Sequence, residues 1–553
     1  MRNLLISLQD NVDVIGLKSL HYTLLEKGHD STLLFIPGFN LDDGAALSCF
    51  DDFVEDIDPD LIGFSLMSGE YNRSRDLTAH LKAKTGKPVV WGGIHPTIAP
   101  EASLEFADYV CLGEGERTIM EIADAVDSGR DLRTVGSLGY LDNGALKTNE
   151  MHPVIADLDS LPHYEHVPAG SFVIDKGRLA PVDWGVIARH TRYKGKTYSV
   201  ISSRGCPFSC TYCCNNFLSR LYESKKIRRR GVEHVISEIE KAVASHPEIE
   251  YINFHDDCFL ACSTSYLDDF CKAYRERVGK PFIARSIPVY INRDKMKILK
   301  ESGLSWISLG LQSGSDRVNR EVYQRKSLRK DFLEAAEVVK EFDIAAFYDV
   351  ILDNPFETEA ETLETVETLM EVPKPFYPEI FSLSFYYGTD LFERARQECP
   401  ETIEDTHSKD YLVYRKSAIN RLVRLAVFKR KRGMRRLLRL YRRGPDGLRF
   451  RMALFLAGLW SSIFIEPLTY FRVIRLSQGK SLWKTLKVLP SYFRKGFEIY
   501  LKQFRKGGSN LWLLFLLPFN LQACASLASL DIDGLEFEGL INIDWSIYVS
   551  CFG

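Results

Sequence analysis

Residues 201–216 read ISSRGCPFSCTYCCNN, which sets Cys206, Cys210 and Cys213 in a C-x₃-C-x₂-C run with Tyr212 just before the third cysteine. Thiolates so closely spaced can hold three corners of one iron–sulfur cluster. A four-iron cluster usually takes four cysteines, so a three-cysteine loop leaves one iron free for a small molecule. Val200, Ile201 and Ser202 read as the end of a β-strand, and Gly205 and Pro207 turn the chain. The loop would therefore leave a strand's carboxyl end, the active face of an α/β barrel. A zinc site and a set of buried core cysteines are the competing readings, but closed zinc sites favour four N/S ligands, often as two C-x₂₋₄-C pairs, and no second pair follows. Cys214 adds another thiol, although adjacent side chains in an extended segment point opposite ways.

The loop resembles the signature of the radical S-adenosylmethionine enzymes. The resemblance implies a 4Fe–4S cluster on Cys206, Cys210 and Cys213, whose free iron chelates the amino and carboxylate groups of S-adenosylmethionine. It implies further that the cluster donates an electron, breaking a carbon–sulfur bond to give a 5′-deoxyadenosyl radical. Tyr212 would lie by the adenine.

A chain of 553 residues has room for two or three domains. Its 12 cysteines are scattered apart from this one group, and no secretory leader precedes them, which fits reduced cytoplasmic thiols. The formal charge of −3 conceals an asymmetry: residues 415–506 carry +22, residues 507–553 carry −5, and the first 414 carry −20. The carboxy-terminal region reads as a separate unit with its own partners.

Residues 1–140 alternate short apolar runs with helical patterns, in Asn3–Ser7, Leu33–Ile36, Leu61–Leu66, Val89–Trp91 and Tyr109–Leu112. Such alternation predicts a doubly wound, Rossmann-like parallel sheet, whose ligands sit beyond the strands' carboxyl ends. PDLIGFSLMS, VVWGGIHPT and YVCLGEGE, in that order, resemble the cobalamin-binding domain found ahead of many radical S-adenosylmethionine domains. By that resemblance Ser65, Leu66, Gly92, Gly93, Gly113 and Glu114 line the corrin and its nucleotide tail. One departure is plain. Where methionine-synthase-type domains carry D-x-H-x-x-G, with a histidine on cobalt, this chain reads Asn11-x-Asp13-x-x-Gly16, so no imidazole is available there.

Residues 141–194, with turn signals at Asn143-Gly144 and Asp157–Pro162, read as a linker. Residues 195–400 continue strand, helix, strand at barrel-like intervals and predict a central partial (β/α)₆ barrel. Within it Arg228-Arg-Arg230 reads as a solvated basic face or a contact for an anionic substrate. Asp256 and Asp257 follow a strand and read as substrate-site acids, or as helix caps. The turn Ser313-Gly314-Ser315 offers hydroxyls and unobstructed amides to a carboxylate or ribose. It matches the family's turn at the S-adenosylmethionine ribose, with Gln312 where glutamate is frequent, and Arg285 falls where a polar residue reaches the same ligand. Asn354-Pro-Phe-Glu-Thr358 is similar to the family's G-x-P-x-E-T turn, and Ser382–Tyr386 reads as the sixth strand.

Residues 401–553 predict basic amphipathic helices, with an uncharged run at Met452–Ile465 too short to span a bilayer. In one reading their basic faces cover the acidic remainder of the chain. In the other, 415–506 lies peripherally on an anionic membrane with Trp460, Trp483 and Trp512 near the interface, which a lipid or glycolipid substrate would make natural. No motif for reading nucleic acid is present. The whole resemblance implies a cobalamin-dependent radical enzyme that methylates an unactivated carbon and draws its electron from a flavodoxin- or ferredoxin-type reductant. Its rivals are a cyclase or rearrangement enzyme without methyl transfer, and a non-catalytic iron–sulfur module.

Overall fold

The computed structural model describes residues 1–485, apart from 405, 406, 408 and 483. The first sheet comprises β1 (Arg2–Ser7), β2 (Asp30–Phe35), β3 (Leu61–Ser65), β4 (Val89–Gly92), β5 (Tyr109–Cys111), β6 (Leu138–Asp142), β7 (Ala145–Thr148), β8 (Ser171–Asp175) and β9 (Arg178–Pro181). Its order is β7-β6-β5-β4-β3-β1-β2-β8-β9. The strands from β5 to β8 in that order run parallel, and β6, β7 and β9 close the edges antiparallel. Leu4, Ile6 and Ile62 pack on one face, Leu5, Leu33 and Leu61 on the other. Burial on both faces is why these strands read as unbroken apolar runs. The order reverses at β1, which pairs with β2 on one side and β3 on the other, opening a crevice at the carboxyl ends. The stretch 141–194, read as a linker, supplies β7, β8 and β9 to this sheet.

The second sheet is parallel and sequential: β10 (Thr197–Val200), β13 (Tyr251–Phe254), β14 (Phe282–Ser286), β15 (Leu304–Gln312), β16 (Ala345–Leu352) and β17 (Tyr377–Ser382). A two-stranded ribbon of β11 (Ser203–Arg204) and β12 (Arg228–Arg229) stands beside it. The sixth strand thus begins earlier than the sequence suggests and ends at Ser382, where the pattern had it start. Alternate residues face opposite ways. Ile252, Phe254, Phe282, Ala284, Ile307, Leu309, Tyr348 and Val350 pack outward against the helices. Asn253, Arg285, Ser308, Gln312, Asp349 and Glu379, in the other phase, face inward.

Among the described residues, four α-helices follow the barrel: Ala418–Phe428, Lys431–Arg443, Leu448–Trp460 and Glu466–Ser477. Leu422, Val423, Leu425, Met434, Leu437, Leu438 and Phe450 extend the barrel's own core, each large side chain contributing about 1.5–3 kcal/mol of burial. Arg442 pairs with Glu367 at 2.8 Å and Lys480 with Asp343 at 2.6 Å, so part of the basic region covers acidic surface. Tyr470 stacks on Tyr377 at 4.9 Å and Gln478 donates to the Tyr251 hydroxyl at 2.5 Å, which closes the barrel beneath the strands' amino ends. Trp483, Trp512 and the apolar run 511–518 lie outside the described residues. Among the described residues no helix is long and apolar enough to cross a membrane.

Candidate active site between the two sheets

The cysteine loop is held by its roots. Past β10, the Asp256 carboxylate accepts from the Ser202 N–H at 3.0 Å, from the Ser202 hydroxyl at 2.7 Å, and from the Ser203 hydroxyl. It is 1% exposed. Asp256 therefore braces β10 to β13 and has no face left for substrate, a correction to its reading as a site acid. Gly205 turns at φ +101°, with the Lys226 carbonyl 3.0 Å from where a Cβ would stand, so glycine is required. Thr211 then pins the loop, donating its N–H to the Tyr323 carbonyl at 3.1 Å and its hydroxyl to the Val322 carbonyl at 2.6 Å.

Cys206, Cys210 and Cys213 sit half-buried on this loop. Burial pushes the Cys206 thiol up to about 12 and raises Cys210; Cys213 is raised foremost by the Cys214 thiol hydrogen-bonded to it. Such a pocket keeps thiols neutral until cationic iron replaces their protons. Among the described residues no three His, Cys, Asp or Glu side chains converge as they would around a single ion. A cluster whose thiolates each hold a different iron asks for no such convergence. Cys214 opens the helix Cys214–Leu221 and contacts Cys213; alternation fails there because the strand-like segment has already ended. Tyr212, half-buried, meets Tyr323 edge-on at 5.0 Å.

The barrel interior beside this loop is charged and incompletely paired. Arg285 donates to His255 at 3.1 Å. Asp349 and Glu379 are register partners on β16 and β17; burial first, then Glu379, raise the Asp349 carboxyl well above the usual range. Asn253 Oδ1, Gln312 Oε1, Arg325 Nη1 and Asp349 Oδ1 are buried without a hydrogen-bond partner, and unmet buried polar atoms are costly. Donors and acceptors of both signs fit a zwitterionic ligand bearing a ribose, as S-adenosylmethionine does. The serine turn differs from expectation. The Ser313 hydroxyl donates to Glu357 at 2.7 Å, the Gly314 N–H to Thr365 at 2.7 Å, and the Ser315 N–H to the Ser313 hydroxyl at 3.1 Å. A Cβ on Gly314 would lie 2.4 Å from the Thr365 backbone. The turn's groups are engaged by Glu357, by Thr365 of the helix Glu359–Glu371 and by one another, leaving Gln312 and Arg325 as the open positions.

A cavity of about 470 Å³ joins the two sheets. Ser65, Gly92, Gly93, Gly113 and Glu114 line it from the first sheet, and Cys206, His255 and Asp257 from the barrel. Asp257 is exposed to it though enclosed by the fold, and burial raises its carboxyl. One arm runs between β1, β3 and β4 and the helices Ile15–Glu26 and Glu116–Asp127, past Leu5, Gly63, Val90, Leu20 and Ile119. That apolar slot fits a flat base on the tail of a cobalamin, and Gly16 there has nothing within 4 Å of a Cβ. Leu66 is 1% exposed and supplies backbone only, its carbonyl 2.7 Å from a Cβ on Gly93. Asp13 forms a buried ion pair with Lys18 at 2.8 Å.

Ion pairs join the halves, through Glu114 and Arg228, which the sequence singled out for other roles, and through Glu116 and Arg204, which it did not. Glu114 pairs with Arg228 at 2.6 Å and Arg204 at 3.3 Å; Glu116 pairs with Arg204 at 2.5 Å and accepts from Ser19 at 2.9 Å. The Tyr222 hydroxyl accepts from the Glu114 N–H at 2.6 Å. Glu114 is thus a junction residue as well as a cavity residue. Arg230 is tied to Glu238 and Arg229 to the Ala261 carbonyl at 2.8 Å, so the arginine run is not a solvated face.

Comparison with known proteins agrees with this geometry. Residues 200–369 match the radical SAM superfamily and residues 1–123 the B12 binding domain. An uncharacterized methyltransferase, PH0819, of Pyrococcus horikoshii is 29% identical over 62% of this chain and 70% of its own. The anaerobic magnesium-protoporphyrin IX monomethyl ester cyclase of Cereibacter sphaeroides is 25% identical over 62% of this chain and 54% of its own. In fold, the chain resembles the cobalamin-dependent S-adenosylmethionine radical enzyme OxsB with aqua-cobalamin bound, at TM-score 0.60 and 15% identity, covering 95% of this chain and 84% of that one. The cysteine loop opens onto a cavity walled by the first sheet, and β1 to β5 fall within the match to one domain model and β13 to β16 within the match to the other; this chain belongs to the radical S-adenosylmethionine enzymes that carry an amino-terminal cobalamin-binding domain.

Proposed function

We propose that the chain methylates an unactivated carbon of its substrate. The observation that carries this reading is the single cavity in which the first sheet's glycine turns face Cys206, His255 and Asp257. When bound, the cluster with S-adenosylmethionine supplies a hydrogen-abstracting radical and cobalamin a methyl group. The chain's own part is to hold and enclose. Cys206, Cys210 and Cys213 ligate iron, Tyr212 flanks the adenine, and Gln312, Arg325 and Arg285 offer hydrogen bonds to the S-adenosylmethionine polar groups. Ser313, Gly314 and Ser315 act on that ligand by fixing the strand end that bears Gln312. Asp257 faces the substrate, while Ser65, Leu66, Gly92, Gly93, Gly113 and Glu114 shape the corrin side.

Radical formation consumes an electron, so an external reductant is required, and a small flavodoxin- or ferredoxin-type protein is the partner proposed. The functional division proposed is 1–140 for cobalamin, 195–400 for the radical chemistry and 401–553 for a helical region serving a cytoplasmic enzyme at the membrane's edge, on a lipid or glycolipid substrate. Ring closure without methyl transfer is the second reading, favoured by the cyclase relative. The test is anaerobic protein with reconstituted cluster and cobalamin, assayed for 5′-deoxyadenosine and product mass. A gain of one methylene per turnover supports methyl transfer, and its absence alongside substrate turnover supports the second reading. A Cys210→Ala protein that still forms 5′-deoxyadenosine defeats the cluster assignment.

A further inference from the structure

The helix Leu448–Trp460 is apolar nearly all round, a composition that belongs to a core or a membrane. Only one side of it is covered: Phe450, Leu454 and Ala457 are buried against the barrel's extended core. The opposite side exposes Leu448 at 73%, Phe455 at 62%, Leu456 at 58%, Trp460 at 56% and Met452 at 54%, and Phe464 and Leu468 continue the exposed apolar surface beyond it. At roughly 100° per residue these positions on the helix share one face. Trp460 and Phe464 touch at 4.4 Å. Other exposed large apolar side chains are scattered singly; a contiguous set of this size marks an interaction surface.

The surroundings say which kind. By the same spacing Arg451 borders the apolar face on one side, and Arg449 lies within it between Leu456 and Trp460, both exposed. The neighbouring helix Lys431–Arg443 buries Met434, Leu437, Leu438 and Tyr441 and exposes Lys431, Arg432, Arg435, Arg436, Arg439, Arg442 and Arg443. Of these only Arg442 forms an ion pair among the described residues. An apolar stripe rimmed by cations without acids of their own is complementary to an anionic, apolar-cored surface. A nucleic acid would meet the arginines but leave the aromatics in water.

We propose that this face docks on an anionic lipid bilayer, with Phe455 and Trp460 entering the interface and the arginines meeting headgroups. The proposal is independent of the reaction assigned above. The test is flotation of the full chain, with cofactors reconstituted, on vesicles of phosphatidylcholine alone or mixed with phosphatidylglycerol. Binding is expected to the mixed vesicles only, weakening as salt rises. Reversing Arg435, Arg436 and Arg439 to Glu should lower it at least about a hundredfold, since each basic residue near such a surface is worth about fivefold. Phe455→Ser with Trp460→Ser should lower it by at least about tenfold. Both variants should keep parental 5′-deoxyadenosine formation in solution, which shows that they fold. No flotation of the parent, equal flotation with both vesicles, or binding that survives loss of Phe455 and Trp460 overturns the proposal; the last would assign the arginines to a soluble polyanion.

Discussion

The junction between the sheets and the interior of the barrel are both rich in charge, and they are satisfied in opposite ways. At the junction, Arg204, Arg228, Glu114 and Glu116 form a closed set of ion pairs supplemented by Ser19 and Tyr222. In the barrel, Gln312, Arg325 and Asp349 each keep a buried atom without a partner. Charge whose partners all lie in the chain builds the fold; charge left waiting is reserved for something that arrives. The difference separates structural from ligand-facing residues better than residue type does.

Three substitutions would break or sharpen that contrast. The largest effect is expected at the junction. Arg204→Met leaves Glu116 buried and unpaired, which should lower unfolding free energy by about 4 kcal/mol, read by denaturant titration, and adding Glu116→Leu should restore part of it. If the single variant is as stable as the parent, the junction is not structural. The second probes the border between the two regions, at Glu357 beneath the serine turn, where burial raises the carboxyl to about 7 from 4.5. Folding then binds a proton, so this group favours the fold below pH about 4.5 and ceases to as pH rises through about 7. Glu357→Gln stays neutral and should exceed the parent's stability by up to about 3 kcal/mol at pH 8, with the gap closing near pH 4. Melting curves across that range decide it, and a gap that widens toward acid reverses the assignment. The smallest effect on stability belongs to the barrel. Arg325→Met loses one bond to the Gly310 carbonyl, of 2.8 Å, and should cost about 1 kcal/mol. The KM for S-adenosylmethionine should rise about tenfold. Loss of stability with KM unchanged would make Arg325 another structural charge.

What could be read from the sequence was what is local. The cysteine spacing, the strand runs and the glycine turns each occupy a few residues, and their chemistry is fixed by neighbours along the chain. The junction was illegible because Arg204 and Glu116 lie 88 positions apart, and Arg228 and Glu114 lie 114 apart. Nothing in Ser313-Gly314-Ser315 announces that Thr365 will occupy it. The turn at Asn143-Gly144 was visible, but not that its hairpin, and the one from β8 to β9, would extend the first sheet. The carboxy-terminal helices showed their periodicity and basic charge; which side of an apolar helix is covered depends on the barrel behind it.

Gly113 bears on how such enzymes can be rebuilt. Its φ is +77°, and a Cβ there would stand 1.9 Å from the Tyr222 hydroxyl, a residue of the other half of the molecule. The two positions therefore form a lock and key between modules that otherwise look exchangeable. A chimera that fuses this amino-terminal half to a foreign barrel would inherit either a steric collision or a hole at that spot, so the pair must be transplanted together.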